Sequence, residues 1–290
     1  MNRILITGAN SYVGTSVEHY LTRWMDRYEV DTLSLRDLAW KDKSFSRYDA
    51  VFHVAGVAHS DSGRISKEKA RLYYAVNTDL TIETAKKAKA DGVGQFIFMS
   101  SAIVYGDSAP IGKTKIITKD TPAAPSNCYG DSKMQAEKGL ALLSDDTFHV
   151  AIIRPPMIYG KGCKGNYLAL SKIAQMTPVF PYVDNQCSML YIENLCEFVR
   201  ILIEERKQGT FWPQNREYSN TSELVKMIAQ LHGKKVHLLH GMTLPLKILS
   251  RFVPAINKAF GSLSYDRTIS EEMEDNRWFS LEESLGRTEG

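Results

Sequence analysis

Tyr129 and Lys133 stand four positions apart in the run Tyr129-Gly130-Asp131-Ser132-Lys133, inside a stretch whose apolar spacing predicts a helix over 129–143. Four positions is about one helical turn, so phenol and ammonium share a face. A nearby ammonium stabilises phenolate and draws the tyrosine pKa toward the range useful for acid–base work. A surface Tyr–Lys pair on an amphipathic helix has the same spacing, so the pair alone decides nothing. A third group does. Phe96-Ile97-Phe98-Met99-Ser100-Ser101 reads as a buried strand ending in two hydroxyls, followed by Ala102-Ile103-Val104-Tyr105-Gly106. Ligands of parallel sheets lie beyond the carboxyl ends of the strands, so Ser101 is delivered to that rim. Its hydroxyl can there hydrogen-bond a carbonyl oxygen that is becoming an alkoxide. The plain alternative, two serines that merely cap a strand, loses ground because a further motif precedes them in the chain.

That motif is Thr7-Gly8-Ala9-Asn10-Ser11-Tyr12-Val13-Gly14, set between an apolar strand and a helical pattern. Gly8 permits a tight turn and Gly14 a close helix–sheet contact. The amides of Asn10, Ser11, Tyr12 and Val13 then open a helix able to hold a pyrophosphate. Ser11 stands where the middle glycine of such turns is usual, and a ligand-free βα turn would read similarly.

The elements that must position these groups follow from pattern. Apolar β-branched runs predict strands over 4–7, 30–35, 50–55, 96–100 and 150–154, and helices are predicted over 12–25, 72–91 and 129–143. This alternation specifies an α/β Rossmann-type, doubly wound parallel sheet. Residues 36–49 are barely long enough for a crossover with a full helix, which predicts a trimmed version of the fold. Beyond Arg154-Pro155-Pro156, prolines punctuate shorter helices, including 192–205 and 221–232. We therefore expect a dinucleotide-binding domain over 1–155 and, over 156–290, a smaller substrate lobe that is interleaved in sequence with the sheet domain and shapes a substrate cleft. The charged tail beyond Glu282-Glu283 reads as a solvated terminus.

Composition bounds the rest. A length of 290 residues with 43% hydrophobic and 24% charged residues suits a full core, and a net charge of +3 is too small to argue for nucleic acid. The four cysteines have no metal-ligand spacing, so no metal site and no disulfide framework are expected. The sequence runs from Met1 straight into a strand, without a signal peptide, and has no apolar run long enough to span a bilayer. A cytoplasmic location is expected. The stretch 238–263 is apolar with scattered Lys247, Arg251 and Lys258, which suits either packing on the lobe or a subunit partner, or a membrane surface.

Taken together, the TGxxxxxG turn, His53-Val54-Ala55-Gly56, Asn77, SSAIVYG, YxxxK and RPPMIYG resemble the extended short-chain dehydrogenase/reductase (epimerase/dehydratase) family, over nearly the whole chain. The segments FIFMSS and RPPMIYG, with Gly165-Asn166 and the C-terminal lobe, are similar to capsule-pathway reductases of UDP-4-keto-6-deoxy-N-acetylhexosamines; related enzymes are UDP-sugar 4-epimerases. The resemblance implies a catalytic triad of Ser101, Tyr129 and Lys133. It implies cofactor contacts from Ala55, Gly56, Asn77, Ser100 and Pro155 besides the glycine turn, substrate contacts from Ile103 and Asn166, and a UDP-sugar as substrate. A homodimer is the family's usual arrangement. Where relatives carry an arginine to clamp the diphosphate, this chain has Cys187, expected to be an inert buried thiol. Lys161, Lys164 and Arg267 are candidate substitutes.

Cofactor preference is read from the end of the second strand. About 20 positions beyond the glycines, where NAD-selective folds place an acid, stand Ser34 and Arg36, which suit a 2′-phosphate. NADP is therefore expected over NAD, with Asp31 and Asp37 as the carboxylates that would favour NAD instead. The leading reading is NADPH-dependent reduction of a sugar C4 ketone. A 4-epimerase with bound NAD uses the same triad. A dinucleotide-binding regulator without turnover is a third reading; such proteins often lose the tyrosine or lysine kept here.

Overall fold

The computed structural model describes residues 1–57, 65–273 and 278–290. Six strands, β1 (Asn2–Thr7), β2 (Tyr28–Leu33), β3 (Ala50–His53), β4 (Gln95–Met99), β5 (His149–Ile153) and β6 (Gly209–Phe211), form one parallel sheet in the order β6-β5-β4-β3-β1-β2. Ile4 and Ile6 of β1 and Phe96, Ile97 and Phe98 of β4 are wholly buried. Such continuous apolar runs, rather than alternation, are what a sheet covered on both faces requires. The five expected strands are present, displaced by one or two residues at their ends. β6 is not among the expected strands; its three residues pair with β5 and are too few to show a period.

The chain order reverses between β1 and β3. After β1 it passes through helix α1 (Tyr12–Leu21) to β2 on one side, then returns to place β3 on the other side of β1. The return is the expected short crossover. It holds only a five-residue 3-10 helix, Leu38–Asp42, capped by Asp37 Oδ1, which accepts from Ala39 N at 3.0 Å. Trp40 points inward, fully buried, and stacks near Phe45 at 6.5 Å between centroids.

The helix expected over 72–91 differs in an instructive way. It starts earlier, at α2 (Lys67–Tyr73), capped by Ser66, and passes through a π-helical turn, Tyr74–Asp79, into α3 (Leu80–Ala90). A π turn widens the helix by one residue, and this one sets buried Asn77 facing the β3 exit, where its side chain pairs with Val57. Between β4 and β5 lies α4 (Cys128–Ala141), capped by Asn127. At the sheet's centre His53 is completely buried between Thr7 Oγ1 at 2.8 Å and Thr81 Oγ1 at 3.0 Å. Burial of the imidazolium pushes its pKa down to about 3, so the ring is neutral and structural.

The chain divides into two compact units. The first comprises Met1–Gly106, Pro122–Pro155 and Leu195–Pro213, and the second Asp107–Thr121, Pro156–Asn194 and Gln214–Gly290. In the second unit α5 (Asn166–Met176) packs on α7 (Thr221–Leu231). Helix α6 (Ile192–Glu204) runs from the second unit into the first. The C-terminal tail is not a solvated end. Residues Leu281–Glu289 form a helix whose start has a reciprocal capping box between Ser280 and Glu283. The Glu289 carboxylate accepts from Tyr167 at 2.6 Å and Ser171 at 2.8 Å and pairs with His232 Nε2 at 2.7 Å. Ser-x-x-Glu was visible in the sequence; the three partners of Glu289 were not.

Gly8 has φ +99°, and a Cβ there would lie 2.6 Å from Ala55 N, whereas Gly92, with φ +85°, has open space around it. Gly92→Ala should cost only the left-handed backbone penalty, about 1–2 kcal/mol. Gly8→Ala should cost clearly more, roughly 3 kcal/mol or above once backbone must also shift, read from chemical denaturation of the two variants. Equal losses would refute the close approach of the β1 and β3 exits.

Candidate active site

In the first unit the structure sets the glycine turn at the β1 exit, Asn77 against the β3 exit, and Ser101 and Tyr129 within hydrogen-bond reach of each other beyond β4. The β1 exit turns at Gly8, whose N donates to Leu33 O at 3.0 Å, and Asn10 takes φ 66°, a left-handed value that asparagine tolerates. Ser11 caps α1 by accepting from Gly14 N at 3.0 Å, and a Cβ at Gly14 would sit 3.1 Å from Val54 Cγ2. A dipolar helix start thus lies beside two backbone exits packed without side-chain bulk, at the point where strand order reverses. That is a fit for a dinucleotide pyrophosphate.

Lys133 is buried on α4, one turn beyond Tyr129. Its Nζ donates to Met99 O at 2.8 Å and lies 4.6 Å from the centroid of the Phe98 ring. A Cβ on Gly56 would come within 3.4 Å of that Nζ and 3.0 Å of Asn77 Oδ1. Gly56 is therefore the residue that leaves room beside the ammonium. Asn77 is held by Val57 N at 2.8 Å, Val57 O at 3.2 Å and Ser132 Oγ at 3.2 Å. Ser101 opens a 3-10 turn, Ala102–Tyr105, with its Oγ accepting from Ile103 N at 3.3 Å. Pro155 is buried, and its carbonyl accepts from Ala102 N at 2.9 Å, tying the β5 exit to the serine turn.

The electrostatics depart from the simple expectation. Burial pushes the Tyr129 phenol up to about 12; the Ser101 hydroxyl hydrogen-bonded to it acts in the lowering direction, and Tyr73, 5.7 Å away between rings, in the raising one. Lys133 is not what tunes it in this state, because its Nζ is turned to Met99 O. Burial pulls the Lys133 ammonium down to about 8, with the Glu137 carboxylate opposing. Without that carboxylate the ammonium would be harder still to keep charged.

Glu137 was missed by sequence reasoning. It lies one turn beyond Lys133 on α4, is buried, and accepts from Arg154 Nη2 at 2.5 Å and Nε at 3.1 Å and from the Ser100 hydroxyl. Ser100 therefore serves this carboxylate through its side chain. Arg154 in turn donates to Tyr105 Oη at 2.6 Å, and Trp212 Nε1 donates to the same oxygen at 2.6 Å. The i+4 spacing of Glu137 from Lys133 was a usable signal.

At the β2 exit Ser34 and Arg36 are exposed. Both rival carboxylates are engaged: Asp31 Oδ2 accepts from Arg47 at 2.5 Å and Tyr48 at 2.7 Å, and Asp37 caps its 3-10 helix. In the second unit Asn166 is exposed at the start of α5, directly after Gly165. Cys187 donates its thiol to Gly261 O at 3.3 Å, and burial pushes its pKa up, which disfavours the thiolate. Lys161, Lys164 and Arg267 are exposed, with the Arg267 guanidinium over Tyr218 at 4.9 Å. All four cysteines are free thiols, and no group of residues able to hold a metal ion occurs among the described residues.

Residues 4–211 match the NAD dependent epimerase/dehydratase family. The chain belongs to that family. It is an NAD(P)-dependent enzyme by that membership, with the nicotinamide dinucleotide the glycine turn is shaped for. It is 32% identical to a UDP-glucose 4-epimerase of Vibrio cholerae over 249 residues, 78% of this chain and 74% of the relative. It is 27% identical to an N-acetyl-alpha-D-glucosaminyl-diphospho-ditrans,octacis-undecaprenol 4-epimerase of Escherichia coli O157:H7, covering 87% of this chain and 78% of that protein. The dTDP-4-dehydrorhamnose reductase of Bacillus anthracis, solved in complex with NADP, superposes with a TM-score of 0.74 at 20% identity, over 99% of this chain and 98% of that one. At that identity the likeness concerns the fold.

The buried ammonium has a measurable consequence. Lys133 falls from an ordinary 10.5 to about 8 in the folded chain, so between those values the unfolded chain holds a proton that the folded chain has released. Stability of the cofactor-free protein must then rise with pH across that window. Relative to Lys133→Met, which lacks the group, the wild type should gain about 3 kcal/mol between about pH 7 and pH 10.5 in urea unfolding. A flat difference would show that Nζ is solvated.

Proposed function

We propose that this family member is an NADPH-dependent reductase of the C4 keto group of a nucleotide-linked sugar, a UDP-4-keto-6-deoxy-N-acetylhexosamine, serving surface-polysaccharide synthesis in the cytoplasm. The observation that carries the reading is the β2 exit. Arg36 is exposed beside Ser34, while Asp31 and Asp37 are committed to Arg47, Tyr48 and a helix cap. A 2′-phosphate there would meet a cation and a hydroxyl, with Asp31 held by Arg47 and Tyr48 and one oxygen of Asp37 held by Ala39 N. Preference for the phosphorylated dinucleotide suits an enzyme that consumes its cofactor each turnover.

When bound, the nicotinamide supplies the hydride. The residues manage the proton and the charge. Tyr129, with its phenol held near 12, is protonated at neutral pH and donates to the C4 oxygen as negative charge develops on it. Ser101 hydrogen-bonds the phenol and stabilises the same oxygen. Lys133 would hold the nicotinamide ribose, and its ammonium would lower the cost of the transient phenolate on Tyr129. Asn77 keeps the β3 exit in place through Val57. Substrate contacts from Ile103 and Asn166, and a homodimeric assembly, belong to the same reading.

A second reading, a UDP-sugar 4-epimerase retaining NAD, is favoured by the 32% identity to the Vibrio cholerae enzyme. Incubation with a panel of 4-keto UDP-sugars and either NADPH or NADH, followed at the nicotinamide absorbance, separates the two. Net NADPH oxidation is expected. Interconversion of UDP-GlcNAc and UDP-GalNAc without cofactor loss would replace the reductase by the epimerase. Tyr129→Phe should lower kcat by about 10²–10⁴-fold while NADPH binding is kept. Arg36→Ala should raise KM for NADPH roughly 10-fold or more, the loss of a charge-assisted contact, and leave KM for NADH unchanged.

A further inference from the structure

We propose that α8 (Thr243–Leu249) and the turn after it, in the second unit, dock this protein onto an anionic lipid bilayer surface. None of the seven residues of α8 is buried. Leu244 is 66% exposed and Ile248, one turn on, 52%; Phe252, one further turn along, is 78% exposed, with Leu249 and Val253 also out in solvent. So short a helix does not stand on its own propensity, and of its aliphatic side chains only Leu246 is half-buried, while Leu244, Ile248 and Leu249 are exposed. The turn is nevertheless ordered: Phe252 N and Val253 N both donate to Leu249 O at 3.0 Å, and buried Ser250 donates to Lys247 O at 2.9 Å. Beyond it the chain is anchored, with Ala109 N donating to Ser262 O at 2.9 Å and Asn257 Oδ1 accepting from Ile111 N at 3.4 Å. A large apolar patch presented on a firm base marks an interface.

Charge identifies what covers it. Lys247, Arg251 and Lys258 are exposed along the same segment, and no Asp or Glu occurs anywhere between Leu224 and Tyr265. A second copy of the chain meeting this patch across a two-fold axis would set these cations against their own images. An anionic bilayer accepts both features: apolar side chains enter the headgroup boundary while the cations meet lipid phosphates. The face lies outside the proposed chemistry and does not rest on it.

The full-length protein would be sedimented with phosphatidylcholine vesicles, alone or with about one-third phosphatidylglycerol, at low and high salt. Binding to the anionic vesicles is expected, falling at high salt. The Leu244→Ser, Phe252→Ser double variant should abolish it. The Lys247→Gln, Arg251→Gln double variant, which leaves the apolar face intact and guards against a folding defect in the first, should weaken it roughly 25-fold, about a factor of five per charge. Reduction of a soluble 4-keto sugar should be unchanged in both, so failure here and failure of the proposed reaction are separable. No binding above that to phosphatidylcholine, or binding indifferent to both double variants, would overturn the proposal. So would a concentration-dependent dimer that the Leu244→Ser, Phe252→Ser variant dissolves, assigning the face to a second copy.

Discussion

A buried ammonium is the constraint around which the first unit is arranged. Lys133 Nζ is withdrawn from water, and desolvation of that charge is costly unless fixed dipoles and counter-charge replace the solvent. Three groups do so: Met99 O at 2.8 Å, the face of Phe98 and, one turn along α4, the Glu137 carboxylate. Glu137 would itself be an uncompensated buried charge without Arg154 and Ser100. The chain of dependence thus runs from α4 through the β4 exit to the β5 exit, and the same helix and two exits set Tyr129, Ser101 and Pro155. Positioning the acid–base pair and sheltering the lysine are one structural problem.

What was legible in the sequence was what depends on local spacing. Tyr129 and Lys133 share a face because four positions make a turn; Gly8 and Gly14 mark a strand–helix junction; the hydroxyls after Phe98 fall at a strand end. The trimmed crossover was legible from its length. The Arg154–Glu137 pair was not, since it joins residues 17 positions apart that meet only because α4 packs beside β5. The π turn was hidden for a different reason. Periodicity over 72–91 gives no warning of it, because three- and four-residue spacings occur on both sides of the insertion. Yet that insertion is what turns Asn77 toward Val57.

The protonation of Tyr129 shows how far composition-level reasoning carries. A lysine one turn away suggests a lowered phenol, but in a low-dielectric site the sign is decided by which atoms touch, and Lys133 is occupied with a backbone carbonyl. Burial then dominates, and the phenol is held near 12. The pair is a phenol ready to give a proton together with an ammonium that has something to exchange, Met99 O, when a ribose arrives.

The shortened crossover bears on cofactor choice through packing alone. A full crossover helix over residues 36–49 would cover the outer edge of the sheet near β2. Here one 3-10 turn does so, and it succeeds because Trp40 fills the space with a single large side chain against Phe45, while Arg47 and Tyr48 close over Asp31. Those contacts engage Asp31, and Asp37 caps the 3-10 turn through one oxygen. Ser34 and Arg36, which contribute nothing to the packing, are left facing solvent at the rim. Economy in the crossover and the engagement of Asp31 are therefore linked: Arg47 and Tyr48, which belong to the segment that replaces a helix, are also the residues that hold that carboxylate.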